Sequence, residues 1–327
     1  MTSQRLPFVL RFDFRNPDFA GTSMADRYQA ALEMVEWADS NGCIAVTVSE
    51  HHFSPDGYLP CPLPMLAAMA ARTERVQLSV AALIAPFYDP IRLAEDLAVL
   101  DHLSRGRVSL IIGAGYVRSE FEGLGIPVGR RVGRLTETVR VLKDAFKGVP
   151  FSHQGRTVQV TPAPYTPGGP ALVLGGSSEA AARRAARIAD GFLPTTPDVW
   201  EFYRDETAKL GKPDPGPCPM GNDLTVALAD DPEQAWSEIG PYFLHETNAY
   251  GAWLRDNDGV GPYRVMASVE ELREAGLYAI FTPEEYVERL KAMPFPYAVL
   301  HPMCGGIPPE LAWRSLRLFE SEVIPAF

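Results

Sequence analysis

Short apolar runs alternate with segments of helical period along almost the whole chain. Phe8–Arg15 (FVLRFDFR) reads as a strand, and Asp26–Ser40 as a helix with Ala31, Val35 and Ala38 on one face. Asn41-Gly42 ends that helix, because glycine readily takes the left-handed conformation past a helix C-terminus. The strand Ile44–Ser49 precedes the helix Pro64–Thr73. Val76–Leu83 precedes Pro90–Leu103, whose proline stands at the helix entry, where its missing N–H costs nothing. Arg107–Ile112 is a fourth strand, followed by a long helix over Arg131–Phe146 with Val132, Leu135, Val139, Leu142 and Phe146 aligned. Leu172–Gly175 leads into the alanine-rich helix Ser178–Ala189, and Gly191–Thr195 into Pro197–Leu210. Leu224–Ala229 is a seventh strand, after which the pattern loosens from Asp230 to Ile280. Helix Pro283–Met293, strand Ala298–His301 and helix Pro309–Ile324 complete the series.

Buried parallel strands read as short apolar runs of this kind, and their alternation with helices predicts an α/β fold. A doubly wound open sheet also alternates, but no GxGxxG follows the first strand and the alternation continues evenly to the C-terminus. The pattern predicts a (β/α)8 TIM barrel in a single domain over residues 1–327, with one insertion after strand seven at about 230–280. Active sites in such barrels lie at the C-terminal strand ends, so each chemical motif can be judged by where it falls.

Composition narrows the partners more than the fold. Hydrophobic residues make up 46% and charged residues 22%, enough for a large core. The formal charge of −11 disfavours a phosphate backbone, so no nucleic-acid partner is expected. The arginines that cluster, Arg130, Arg131 and Arg134, then Arg183, Arg184 and Arg187, fall in helical patterns as solvated or subunit-facing surfaces. Cys43, Cys61, Cys218 and Cys304 show neither CxxC spacing nor a histidine at ligand spacing, which fits reduced thiols in a cytoplasmic protein without a metal. No leader-like run opens MTSQRLPFVLRFDF, and no stretch approaches the ~20 apolar residues of a membrane span.

Candidate chemistry gathers at the strand ends. EHHF, Glu50–Phe53, follows the second strand and places two of only 6 histidines there, where one can serve as a general base. Neighbouring side chains of extended backbone diverge, so Glu50, His51 and His52 do not converge on a metal. Ala81-Ala82 ends the third strand with two small residues, which either admit a flat ligand or fill a narrow part of the barrel. The fourth ends in Gly113-Ala114-Gly115-Tyr116, with Glu120 shortly after; Tyr116 and Glu120 supply polar groups. The fifth runs into Gly175-Gly176-Ser177-Ser178 at a helix start, where N–H groups, hydroxyls and the helix dipole suit a phosphate; the same residues also make an ordinary N-cap. Phe12, Phe53 and Tyr116 near the strand ends point to a largely apolar substrate. No GxSxG marks a hydrolase.

Taken together these segments resemble the luciferase-like flavin-dependent monooxygenase superfamily, whose namesake is bacterial luciferase. The similarity is carried by EHHF, by RLAEDLAVLDHLSRGRVSL (Arg92–Leu110), by GAGYVRSEFEGLGIP (Gly113–Pro127) and by LVLGGSSEAAARRAARIADGFLP (Leu172–Pro194), in order along the chain. The resemblance implies a TIM barrel that binds FMNH₂ or the deazaflavin F420 at its C-terminal face, with His51 catalytic. It also implies a non-prolyl cis peptide at Ala81-Ala82, a homodimer, a mobile loop within Asp230–Ile280 and, for a monooxygenase, a separate flavin reductase. Luciferase itself carries a phosphate-binding arginine after strand four, where this chain has Gly113-Ala114-Gly115. The phosphate must then rest on Gly176, Ser177 and Ser178, aided by Arg118. The expected function is an FMNH₂-dependent monooxygenase; the alternatives are F420-dependent hydride transfer and a non-catalytic flavin-binding subunit.

Overall fold

The structure, a computed structural model, describes residues 6–219 and 224–327; residues 1–5, within the stretch read for a leader, and 220–223 lie outside the described residues. Each expected strand is present with shifted bounds. In chain order the elements begin β1 (Phe8–Phe12), α1 (Met24–Ser40), β2 (Cys43–Val48), α2 (Pro62–Arg72), β3 (Gln77–Ile84), α3 (Pro90–Ser104) and β4 (Val108–Gly113). There follow α4 (Arg118–Gly123), α5 (Arg131–Ala145), a hairpin of β5 (Phe151–His153) and β6 (Arg156–Val158), β7 (Leu172–Gly176), α6 (Glu179–Ile188), β8 (Gly191–Pro194) and α7 (Trp200–Lys209). The last third holds β9 (Thr225–Leu228), α8 (Pro232–Asp256), α9 (Val269–Ala275), β10 (Tyr278–Phe281), α10 (Pro283–Lys291), β11 (Ala298–Leu300) and α11 (Pro309–Leu318).

The main sheet is parallel throughout, in the order β10-β9-β11-β1-β2-β3-β4-β7-β8. From β9 to β8 this is the order of a (β/α)8 barrel. The unexpected strand β10 lies against β9 on the side where β8 would close the ring, and β8 pairs with neither among the described residues. The stretch from Asp230 to Ile280 is therefore not loose. It consists of a 25-residue helix, a short second helix and that added strand.

Strand alternation separates the two faces of the sheet. Phe8, Leu10 and Phe12 of β1 are buried on its helix side, where Phe8 meets Trp37 of α1 and Phe319. Arg11, between them, faces the other way. The Leu-Ser-Arg-Gly-Arg turn between α3 and β4 serves the opposite end of the barrel from the strand C-termini. Arg105 caps α3 in the left-handed region, and Arg107 donates to Ser104 O, Ala70 O, Thr73 O, Val76 O and Thr73 Oγ1. A second clamp joins the ends of the chain: Arg27 of α1, wholly buried, donates to Ile307 O at 3.1 Å and Gly306 O at 2.7 Å, just past β11.

Candidate active site at the strand ends

His51 follows β2 and is buried. Its Nδ1 lies 2.8 Å from Glu120 Oε1 of α4, and the same oxygen accepts the His52 backbone N–H at 2.9 Å. A carboxylate accepts and does not donate, so Nδ1 carries a proton, and in the neutral imidazole it is Nε2 that keeps the lone pair. Nε2 makes no hydrogen bond among the described residues. The two histidine side chains take different partners, in the loop that follows the end of β2 at Val48. His52 Nε2 turns to Glu50 Oε1 at 2.9 Å, and its ring meets Phe87 edge-on. Glu50 also accepts from the Ile84 N–H at 2.8 Å and the Tyr88 hydroxyl at 3.0 Å, which ties the end of β2 to the end of β3.

Aromatic side chains enclose His51. Trp253 of α8 stacks on the imidazole at 4.2 Å and 27°, while Tyr58, Tyr116 and Tyr250 approach it near right angles. Tyr58 and Tyr250 share a hydrogen bond of 2.7 Å. Burial pushes the hydroxyls of Tyr58, Tyr116 and Tyr250 above their ordinary range, so they remain neutral phenols. Arg15, wholly buried, lies 4.7–4.9 Å from the ring centres of Tyr58, Tyr250 and Trp253. Its Nη1 pairs with Asp56, which also takes His245 Nε2 of α8 at 2.8 Å. Burial opposes ionisation of Asp56, but the His245 hydrogen bond and the Arg15 charge outweigh it and hold the carboxyl well below its usual range.

Much of the wall comes from α8, which Asp231 caps by accepting the Gln234 N–H, with Pro232 at the first turn. Gly251 lets α8 touch the following loop: a Cβ there would stand 2.3 Å from the Arg264 carbonyl carbon. Sequence reasoning missed Arg15, Asp56, Tyr58 and Tyr250, and met His245 and Trp253 only as residents of an irregular stretch. The signal available was the Asp-Pro cap followed by Tyr242, Glu246, Tyr250 and Trp253 at helical spacing.

The small residues form a second surface. Ala81, Ala82, Gly113, Ala114, Gly115, Gly175 and Gly176, at the ends of β3, β4 and β7, are half-buried, and Ser177 and Ser178 are exposed. The Ala81-Ala82 peptide is cis. Gly115 has a φ of +73°, and a Cβ there would stand 2.9 Å from Ile84 and 3.0 Å from Phe121, so its identity follows from conformation and packing. Ser178 is the N-cap of α6, accepting the Ala181 N–H at 3.3 Å, while the Ser177 hydroxyl makes no hydrogen bond among the described residues. This strip of backbone and methyl groups without bulky side chains fits a planar heteroaromatic ring. Ser177 and the first N–H groups of α6 fit its phosphate.

Two expected substrate residues lie elsewhere. Phe12 is buried against Phe14, whose ring meets Tyr28 of α1, because strand alternation sends Phe12 to the helix side. Phe53 has a φ of 56° and is 63% exposed, with its ring over Gly123. Arg118 pairs with Asp258 at 2.9 Å, and its N–H donates to Asn257, so it latches the end of α8 rather than reaching for a phosphate. Tyr116 does join His51. A cavity of about 490 Å³ opens beside β8 between Ser79, Ser109, Val173, Leu193 and Trp200. None of the His51 group lines it.

The profile of the luciferase-like monooxygenases matches residues 8–295. An F420-dependent glucose-6-phosphate dehydrogenase of Rhodococcus erythropolis is 26% identical over 320 residues, covering 90% of this chain and 92% of that protein. Protein y4wF of Sinorhizobium fredii is 34% identical over 160 residues, and in that match the chain spans about half the relative's length, 47%. Among solved structures, monooxygenase RslO1 of Streptomyces bottropensis superposes with a TM-score of 0.75 at 24% identity, covering 98% of this chain and 99% of that one. The FMN complex of the oxygenating constituent of 3,6-diketocamphane monooxygenase, from Pseudomonas putida, gives 0.71 at 20% identity, with coverage of 98% and 99%. These likenesses establish a luciferase-like TIM-barrel fold. No helix among the described residues is long and apolar enough to cross a membrane.

Proposed function

The chain belongs to the luciferase-like monooxygenase family, and from that premise we propose that it is an FMNH₂-dependent monooxygenase acting with dioxygen on a largely apolar organic substrate. The family's members here are flavin- or F420-dependent enzymes; the narrower reading is carried by His51, whose bare Nε2 stands in an aromatic enclosure beside the small-residue strip. A reduced flavin bound on the strip would supply the electrons that activate dioxygen. Ala81, Ala82, Gly113, Ala114 and Gly115 would hold its ring, and Gly175, Gly176, Ser177 and Ser178 its phosphate. His51 Nε2 accepts a proton from the reacting groups and returns it, while Glu120 keeps Nδ1 protonated and the ring aligned. Tyr58, Tyr116, Tyr250 and Trp253 exclude water and form an apolar wall toward the substrate. Reduced flavin would come from a separate reductase, and the working form would be a cytoplasmic homodimer.

The Rhodococcus relative favours a second reading, F420-dependent hydride transfer without dioxygen. Anaerobic titration with reduced FMN and with reduced F420, followed by admission of dioxygen, separates the two. The monooxygenase reading expects saturable binding of FMNH₂ and His51-dependent dioxygen consumption. Tight binding of reduced F420 alone, inert to dioxygen, would replace it with the second.

A further inference from the structure

Behind the aromatic wall a second buried group is incompletely partnered. His301 follows β11, and neither of its ring nitrogens, both buried, has a hydrogen bond. Nδ1 lies 3.5 Å from Glu246 Oε1, and Nε2 lies 3.7 Å from Asp13 Oδ2. Glu246, on α8 one turn before Tyr250, accepts at Oε2 from the Tyr278 hydroxyl at 2.7 Å and the Cys304 thiol at 2.8 Å. One ligand atom from each of Glu246, His301 and Cys304 falls within 4.8 Å of the other two, and all three residues are buried. A buried imidazole with both nitrogens unmet is an unusual state, since either nitrogen left without a partner is destabilising.

Against the expectation of no metal, which passed over His301 and Cys304 at three positions apart, we propose that these two and Glu246 bind one divalent cation of the zinc type. Thiolate, imidazole and carboxylate form a ligand set that a borderline-soft ion prefers, and around a tetrahedral ion such atoms stand roughly 3–4 Å apart. Cys304 Sγ already lies 2.8 Å from Glu246 Oε2, and His301 Nδ1 3.5 Å from Glu246 Oε1. Charge also balances: a 2+ ion against one thiolate and one carboxylate leaves a neutral buried site. Without the ion, burial keeps Cys304 a thiol and His301 a neutral imidazole, while Glu246 is held ionised. On binding, the S–H bond of Cys304 gives way to a sulfur–metal bond and its proton passes to solvent; His301 needs no deprotonation. The ion would fasten α8 to β11 and the turn after it. There Gly305 already packs so closely that a Cβ would stand 2.1 Å from Tyr242 O. This inference does not rest on the reaction proposed above.

The test is titration of the chelator-stripped, reduced full-length chain with Co²⁺. One equivalent should bind with a thiolate-to-cobalt charge-transfer band, release one proton, and be displaced by Zn²⁺. Cys304→Ser should abolish the band, while Cys61→Ser, at an exposed thiol, should leave it. His301→Gln should weaken binding about tenfold or more. If the folded wild type binds no stoichiometric cobalt, or the band survives Cys304→Ser, the proposal is overturned. Wild-type stoichiometry decides alone if that variant does not fold.

Discussion

Replacing Glu120 by glutamine tests how His51 is set up. The side chain keeps its shape but loses the charge behind the 2.8 Å contact to Nδ1 and the 2.9 Å contact to the His52 N–H. Hydrogen bonds to charged groups contribute about 1.5–3 kcal/mol, and about 1.36 kcal/mol is a factor of ten in rate. The electrostatic loss alone should therefore slow turnover by roughly 10- to 150-fold. The tautomer should hold, because both contacts fall on Oε1, and an amide oxygen in that place still accepts from Nδ1–H and from the His52 N–H. The ceiling is the whole contribution of general acid–base catalysis, about 10²–10⁴. Dioxygen consumption by the complex with reduced flavin gives the rate without a known substrate, and ¹⁵N–¹H correlation spectra report the His51 tautomer directly. In a His51→Ala background the same substitution should cost almost nothing, because the two residues act as one unit. Wild-type turnover in Glu120→Gln, or an equal loss with and without His51, would refute the reasoning.

Three further outcomes are expected. His51→Ala keeps the fold and most cofactor affinity but loses about 10²–10⁴ in turnover, whereas His52→Ala acts mainly through stability; equal turnover of His51→Ala and wild type at saturating cofactor would make the pair structural. Ser177→Asp sets a negative charge beside the first N–H groups of α6 and should weaken reduced-flavin binding sharply; unchanged affinity in a folded variant leaves the serines as a cap. Asp56→Asn removes the main partner of a wholly buried guanidinium and should cost about 3 kcal/mol by urea denaturation near neutral pH, with Asp13 Oδ2, 3.8 Å from Arg15 Nε, limiting the damage. Because the native Asp56 carboxyl titrates below its unfolded value, that stability is complete above about pH 5 and drains away as pH falls below about 4. A wild-type to variant gap that fails to narrow in acid would contradict this.

The eight barrel strands were legible because each is a short apolar run next to a helical period, and motifs at their ends could be placed with them. Tyr116 and Glu120 stood out for that reason. Phe12 misled because only its closeness to the strand end was weighed; a period of two groups it with Phe8 and Leu10 and turns Arg11 inward instead. α8 was obscured by Gly240, Pro241 and Gly251, which look like helix breakers. The two glycines instead admit Val269 and the Arg264 backbone against the helix. The added strand β10 was lost in the same stretch. What no local pattern carries is pairing at a distance: Asp56 with His245 and Tyr58 with Tyr250 join residues 189 and 192 positions apart.

The clamp of Arg27 on Ile307 and Gly306 spans still more chain, 280 positions to Ile307, and that has a consequence for how the protein comes to be. At about 5–20 residues per second of synthesis, the guanidinium exists for roughly 15–55 s before its acceptors are made. Arg15 waits almost as long for the rings of Tyr250 and Trp253. During that time the early βα units hold cations destined for a dry interior with only part of their partners, Asp56 for Arg15 and Asn16 and Thr22 for Arg27, so the half-made barrel cannot close fully around them. Docking of the final strand thus becomes the event that commits the molecule. The N-terminal half must remain soluble and open until the C-terminus arrives, and chaperone capture during that interval would fall on the β1–β4 segment.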